Sequence, residues 1–484
     1  MSYVGVDVGT SVIKAAMFDE TGRQVALEAA PAKVLRPRDG WFEQDPDEVV
    51  AAVAQVIGRV VSGSGRAPEL IALTGQGDGV WLLDKDGRGV RPAVSWMDAR
   101  AAGIVDRWQA EGVVEAAFRR NGGAMFPGCP APVLAWLDSH EPAVLDRATT
   151  AAYCKDMVMQ RLTGVRATDP SDASLPFLDP GSRTYATDLL ERCGLAHRAG
   201  LLAPVVEPYP TGALTREAAD LLGVAAGTPV TAGPFDLPAC ALGCGVEEPG
   251  DGHLIVGTTL ACQVVIDKLD LAGEPAGLTI AYGARKRWLR AMPAMVGTAA
   301  LDWVLTLVGL RHDQVDGILA GTKPGAGGVT CLPYFSPAGE RAPFVESGAR
   351  ARFDGLTVQT SGADLVRAVC EGIAFAARHC LEAAGVRGDI ACCGGGVRSR
   401  QWLRMFADVL GRQVRVATRP EVGAYGAVLA GIGAVSADAG ARSWTEPDIS
   451  VQPGSDLMSE YAERYEHYRA AVDRARMEWK ERQA

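Results

Sequence analysis

Apolar positions along the first part of the chain fall into two periods. Residues 4–8, 12–18 and 24–29 read as a meander of strands, and Asp19-Glu20-Thr21-Gly22 joins the last two. Asp45-Pro46 then opens a helix on which Val49, Val53, Val56, Ile57 and Val60 recur at helical spacing. Residues 70–74 form a short buried strand that ends at Gln76. Towards the C-terminus Leu457, Tyr461, Tyr465, Tyr468 and Val472 mark one face of a helix over 457–482, which should pack back on the body. Strands alternating with helices predict a mixed α/β fold.

One pattern occurs twice. Val8-Gly9-Thr10-Ser11 closes ten residues after its glycine at Asp19, and Val256-Gly257-Thr258-Thr259 closes at the same spacing at Asp267. Each copy reads as strand, turn, strand, with backbone N–H groups and hydroxyls at the tip, a geometry suited to phosphate oxygens. Glycine is common here, 57 of 484 residues, so chance repetition of Gly-Thr is the alternative. The polar turn Glu247-Glu248-Pro249-Gly250-Asp251-Gly252 precedes the second copy. It divides the chain into domains at 1–249 and 250–484, each opening on its own hairpin, as a duplicated nucleotide-binding core requires.

Length and composition agree with two domains. A chain of 484 residues exceeds what one hydrophobic core usually supports, and 48% hydrophobic residues suffice for two. A net charge of −10 argues against a nucleic-acid partner. Eleven cysteines are scattered without metal-type spacing, which points to buried thiols in a reducing cytoplasm. The start, MSYVGVDVGT, lacks the features of a signal peptide, and no apolar run reaches membrane-spanning length.

The two copies differ where chemistry enters. Asp7 stands just before the first Gly-Thr, and Ile255 holds the matching place in the second. A carboxylate beside a phosphate loop calls for a cation between them, so Asp7 reads as a Mg²⁺ ligand, directly or through water. Lys14 either reaches a phosphate or is a solvated strand lysine. Asp236, in VTAGPFDLPACALG, follows a strand and a Gly-Pro turn; it is either a helix N-cap or the base that takes a proton from an alcohol. In LTGQGDGVWLLD, Gln76 and Asp78 project from a glycine-flanked strand end, able to fork onto vicinal hydroxyls or merely to build a turn. Asp98 and Arg100 read as a structural pair. Gly394-Gly395-Gly396 follows a strand and opens a helix, where a flat adenosine moiety could approach the backbone. Neither a dinucleotide fingerprint nor a P-loop is present, so ATP needs another scaffold.

Taken in order, DVGTSVIKAAMFD, GQGDG, WMDAR, GPFDLPACALG, VGTT, GTAALDW, GERAPF, ARFDGLTVQTSGADLVRAVCEGI and CGGGVRSRQW resemble the FGGY carbohydrate kinases from about residue 3 to 433. The resemblance implies a two-domain, actin-like (ribonuclease H-like) ATPase fold that closes over ATP, Mg²⁺ and a sugar or polyol. It makes Asp236 the catalytic base and Asp7 the carboxylate of the metal region. Gly9, Thr10, Ser11, Gly257 and Thr258 become the phosphate hairpins, with Gly297, Gly395 and Gly396 lining the nucleotide. Gln76, Gly77 and Asp78 become the sugar-contacting loop.

Departures from the family pattern narrow the substrate. Val133 stands where the upstream signature commonly has lysine, and Cys370 replaces an apolar residue of the downstream one. Leu237 follows the base where xylulose kinases usually have a polar residue. Gly77 is smaller than the arginine of glycerol kinases or the methionine of xylulose kinases at that place. The loop most resembles erythritol and L-xylulose kinases, so the expected acceptor is a four- or five-carbon polyol or ketose, ahead of D-xylulose, ribulose or glycerol. The expected partners are this small molecule and, at most, a second copy in a homodimer, with neither nucleic acid nor membrane. The rival readings are an actin-like ATPase module and a catalytically inactive sugar-binding regulator.

Overall fold

The computed structural model describes residues 1–419, 421–436 and 449–482. The first sheet contains β1 (Ser2–Val8), β2 (Val12–Asp19), β3 (Gln24–Pro31), β4 (Leu70–Gly75), β5 (Thr211–Ala213) and β6 (Pro229–Ala232), in the order β3-β2-β1-β4-β6-β5. β1 pairs antiparallel with β2, placing Asp7 opposite Lys14, and parallel with β4, placing Asp7 beside Thr74. The expected meander is therefore present, with the turn at 19–22 closed by an Asp19 carboxylate that accepts from the Thr21 and Arg23 backbone N–H groups.

The second sheet repeats the plan. β7 (Gly252–Val256), β8 (Leu260–Ile266), β9 (Leu278–Ala281), β10 (Trp288–Ala294), β11 (Ile390–Cys393), β12 (Val414–Val416) and β13 (Ile449–Val451) follow the order β9-β10-β8-β7-β11-β12-β13. On one side of the first strand each sheet has its hairpin partner and then another antiparallel strand, to which the second sheet adds β9 at the edge. Two parallel strands and an antiparallel edge lie on the other side. β7 thus corresponds to β1 and β11 to β4, so the Gly-Thr repeat is the visible end of a whole repeated topology.

Helices cover these sheets. α1 (Pro46–Ser64) begins where the sequence predicts, with the Asp45 side chain accepting from the Asp47 N–H and Pro46 in the first turn, and it stops at left-handed Gly65. Its apolar face, Val49, Val53, Val56, Ile57 and Val60, is buried on the first sheet. α2 (Asp236–Gly243) follows β6, and α3 (Thr298–Val308) follows β10. α4 (Gly362–Ala384) and α5 (Arg400–Leu410) pack against the second sheet. α7 (Ser455–Glu481) lies back on the body, burying Tyr461, Tyr465, Tyr468 and Val472; Tyr461 Oη donates to Glu371 of α4 at 3.1 Å.

One helix departs from chain order. α6 (Val422–Val435), far beyond residue 250, packs on the first sheet, where Ala424, Tyr425, Ala427, Val428 and Ile432 join Tyr3, Phe18, Leu70 and Ala72 in one buried cluster. Small residues make the approach feasible. A Cβ on Gly5 would lie 2.2 Å from the Ala424 carbonyl oxygen, one on Gly426 1.9 Å from that of Ala239, and one on Gly243 2.0 Å from that of Val422. A division at 249/250 separates the sheets but not the helices that cover them.

Candidate active site

The site forms where the two sheets present the ends of their first strands. In the first, β1 carries Asp7 out to the turn at Gly9, Thr10 and Ser11. The Thr10 hydroxyl donates to Gln76 Oε1 at 3.0 Å and accepts from Trp96 Nε1 at 2.9 Å, while Gln76 Nε2 donates to Gln44 Oε1 at 2.8 Å. One network therefore joins the first hairpin to the loop of Gln76, Gly77 and Asp78. Gln44 and Trp96 are members that the sequence reading left without a role; their partners lie more than thirty residues away along the chain, beyond any local motif.

Asp98 and Arg100 support this network from behind, as the structural pair expected. Arg100 grips Asp98 at 2.8 and 2.9 Å, all of it buried, and also reaches Glu43 at 2.7 Å. Glu43 is the neighbour of Gln44, so the pair fixes the strand that presents the Gln44 amide.

In the second sheet the turn after β7 holds Gly257 and Thr258, whose carbonyl oxygens accept from the N–H groups of Thr298 (2.8 Å) and Gly297 (2.9 Å) at the start of α3. A Cβ on Gly297 would come 2.4 Å from the Gly257 oxygen. Gly394 and Gly396 press on the same strand end: their Cβ positions lie 2.6 Å from the Val256 oxygen and 2.3 Å from its Cγ1. Gly395 is exposed, with no atom within 4 Å of its Cβ position. The structure brings Gly257, Thr258, Gly297, Gly395 and Gly396 together around β7. It refines one detail. The helix the glycines open is a short 3₁₀ one, Gly395–Arg398, with Gly394 before it at φ 101°, and the α-helix α5 starts only at Arg400, capped by Ser399.

Asp236 occupies the first turn of α2, and the cap position belongs to Phe235, so the N-cap alternative fails on position. The turn that delivers it is anchored from the first sheet: the Gly233 N–H donates to the Leu73 carbonyl at 2.8 Å, Thr74 Oγ1 donates to the Pro234 carbonyl at 2.7 Å, and the Phe235 N–H donates to Ser171 Oγ at 3.2 Å. Burial, reinforced by the nearby charges of Asp7 and Asp78, pushes the Asp236 carboxyl up to about 7. Asp78, in left-handed backbone at φ 55°, is likewise raised by burial to about 7, offset in part by Arg341. Burial raises Asp7 to about 6, with Lys14 opposing and Glu421 assisting. Three half-buried carboxyls thus stand together, with Asp7 and Asp78 close enough to raise Asp236. Lys14 lies 3.0 Å from Glu421 of the segment entering α6, so its ammonium is held within the protein.

A wall of the site is apolar. A Cβ on Gly77 would come 2.7 and 3.0 Å from two ring carbons of Phe235 and 3.1 Å from Leu175 Cδ1. Phe235 occupies the volume that a larger residue at 77 would claim.

Arginine from the second half completes the enclosure. Arg341, in the GERAPF segment, lies 5.8 Å from the Trp96 ring and 5.1 Å from that of Phe126, and its Nε donates to the Pro293 carbonyl at 2.9 Å. The Glu340 carboxylate beside it accepts from the N–H groups of Met295, Arg341 and Ala342 at 2.8–3.3 Å, which fixes the segment.

Comparison with known proteins agrees with this arrangement. Residues 2–243 match the N-terminal domain of the FGGY family of carbohydrate kinases, and residues 253–435 match its C-terminal domain. The erythritol kinase of Brucella abortus is 34% identical over 97% of this chain and 95% of its own length. The xylulose kinase of Escherichia coli is 33% identical over 87% of each chain. Among solved structures, a xyloylose kinase from Brucella ovis superposes with a TM-score of 0.88 at 30% identity, covering 97% of this chain and 98% of that one. The two-domain α/β fold, the repeated hairpins and the matched domains together make this chain a member of the FGGY family of carbohydrate kinases, a phosphotransferase with a hydroxyl acceptor.

Proposed function

We propose that this kinase transfers the γ-phosphate of ATP to a terminal hydroxyl of a four- or five-carbon polyol or ketose, with Asp236 as the base. The observation that carries the reading is the Asp236 carboxyl itself. It stands on a rigid helix start, raised to about 7, beside the loop of Gln76, Gly77 and Asp78. A base with an affinity near the working pH can accept the hydroxyl proton as the oxygen attacks. Gln76 and Asp78 orient the acceptor. Gly9, Thr10, Ser11 and Thr258 offer backbone N–H groups to phosphate oxygens, Gly257, whose N–H donates to the Thr259 carbonyl at 3.1 Å, shapes the second turn, and Gly297, Gly395 and Gly396 leave room for adenosine.

The donor set beside Asp7 fits Mg²⁺. Asp7 offers carboxylate oxygens, and the nearby ammonium of Lys14 is paired with Glu421 at 3.0 Å. Asp7 would hold the ion, which when bound offsets phosphate charge. Phe235 and Leu175 against Gly77 favour a slim, unbranched acceptor, in keeping with the Brucella abortus erythritol kinase as a relative. The chain works in the cytoplasm on this reading. Among the described residues no helix is long and apolar enough to cross a membrane.

An ADP-release screen of erythritol, threitol, xylitol, both xyluloses, ribulose and glycerol, ranked by kcat/KM, tests the acceptor. A four- or five-carbon compound should lead; a preference for glycerol would overturn the reading of Gly77. Asp236→Asn should lower kcat by about 10²-fold or more, while calorimetry records nearly unchanged ATP affinity.

A further inference from the structure

Helix α2 carries more than the base. One turn after Asp236 it presents Cys240, and Cys244, four residues further on, caps its C-terminus. Facing them are His253 on β7 and Cys393, the last residue of β11. Ligand atoms of Cys244, His253 and Cys393 all lie within 4.8 Å of one another, and all three residues are buried. Cys393 Sγ is 3.5 Å from His253 Nε2, and the Cys240 thiol is hydrogen-bonded to Cys393. The His253 ring is fully buried, and its Nδ1 has no hydrogen-bond partner. Spacing along the chain conceals this set, because its members come from three elements up to 153 residues apart.

We propose that Cys244, His253 and Cys393, with Cys240 as fourth ligand, bind a zinc ion. Thiolate sulfur and imidazole nitrogen are the donors that zinc selects, in tetrahedral geometry. Bonds of about 2.3 Å to sulfur and about 2.0 Å to nitrogen set neighbouring ligand atoms roughly 3.5–3.8 Å apart. The Cys393–His253 separation of 3.5 Å is already there, and the other pairs among Cys244, His253 and Cys393, all within 4.8 Å, close by about 1 Å or less, while Cys240 would swing in from farther out. Mg²⁺ does not compete for such donors, since it prefers oxygen. Zinc enters as the cysteine thiols release their protons to solvent, so binding tightens as pH rises. Cys240 is half-buried, and a Cβ on Gly423 would lie 3.4 Å from its sulfur.

The consequence is mechanical. The ion would tie the helix that begins with Asp236 to β7, which runs into Gly257 and Thr258, and to β11, which runs into Gly394. It would hold base, phosphate turn and glycine turn at one spacing without touching a reactant.

The test uses the full chain, stripped of metal and kept reduced, titrated with Co²⁺ as a spectroscopic probe and then with Zn²⁺. The expected result is one equivalent of tetrahedral cobalt with a thiolate charge-transfer band, displaced by Zn²⁺, and a thermal midpoint raised by zinc. Cys244→Ser and Cys393→Ser should each abolish the band; Cys193→Ser, in a different buried cluster, should keep it. A weak octahedral spectrum from the wild-type chain, which needs no variant to fold, would overturn the proposal. So would a band that survives both substitutions, or a Cys244–Cys393 disulfide in the reduced preparation.

Discussion

Asp7, Asp78 and Asp236 are each raised above the ordinary carboxylate range, to about 6, 7 and 7. Their protonated forms are favoured by folding. The stability they contribute is full below about pH 4 and is lost as pH rises through 6 to 7. The substrate-free protein should therefore melt higher at pH 5.5 than at pH 8 in a calorimetric series, and Asp7→Asn should reduce that slope. With Asp236 in its proposed role, catalysis runs the other way, because a base must be ionised. kcat/KM should climb with pH to a plateau, with a midpoint near 7 that disappears in any residual activity of Asp236→Asn. The carboxyls stood out in the sequence because each ends an apolar strand or opens a glycine-flanked turn, although an N-cap and a plain turn were readings open there for Asp236 and Asp78. Gln44, Trp96 and Phe235 were not. Their side chains are ordinary and their partners distant, so only the folded chain reveals that one holds Gln76, one holds Thr10 and one fills the space over Gly77.

Among elements, α2 and α6 depend on each other most closely. They cross with backbone against backbone at Gly243 and Gly426, and α2 holds Asp236 at its start. Gly426→Val should destabilise the protein by about 1–3 kcal/mol in urea unfolding and should also lower kcat, since a displaced α2 misplaces the base. Substitution at Gly433, which has open space around it, should do neither. α1 and α7 were readable because each has one apolar face, and its spacing declares which side is inward. α6, VGAYGAVLAGIGAV, is apolar on every side. A helix without a polar face gives no direction, and its place on the first sheet could not be inferred from pattern alone.

At the scale of the molecule, the two halves meet through more than the site. Arg290 Nη1 donates to the Gly122 carbonyl at 3.0 Å, Trp288 Nε1 to that of Pro180 at 2.9 Å, and Arg183 Nη2 to that of Ala284 at 2.8 Å. These contacts join Gly122, Pro180 and Arg183 of the first half to β10 and the loop before it. Arg341 reaches the other way, towards Asp78. Closure over both substrates should draw the halves together further and exclude water that would otherwise consume ATP. Small-angle scattering should show a smaller radius of gyration with a non-hydrolysable ATP analogue and acceptor together than with either alone. The doubled hairpin announced this bilobed plan from the sequence, since each copy stands at the head of its own sheet.

The position of α6 also bears on how the chain is made. Tyr3, Phe18, Leu70 and Ala72 are complete once the first sheet has formed, yet the helix that covers them is encoded at residues 422–435. During synthesis, that apolar face has to wait from β6, which ends at Ala232, until α6 begins at Val422 before its partner arrives. The first half is then not a unit that matures on its own: it needs shelter from a chaperone or from provisional packing, and it is where premature termination would leave the stickiest fragment.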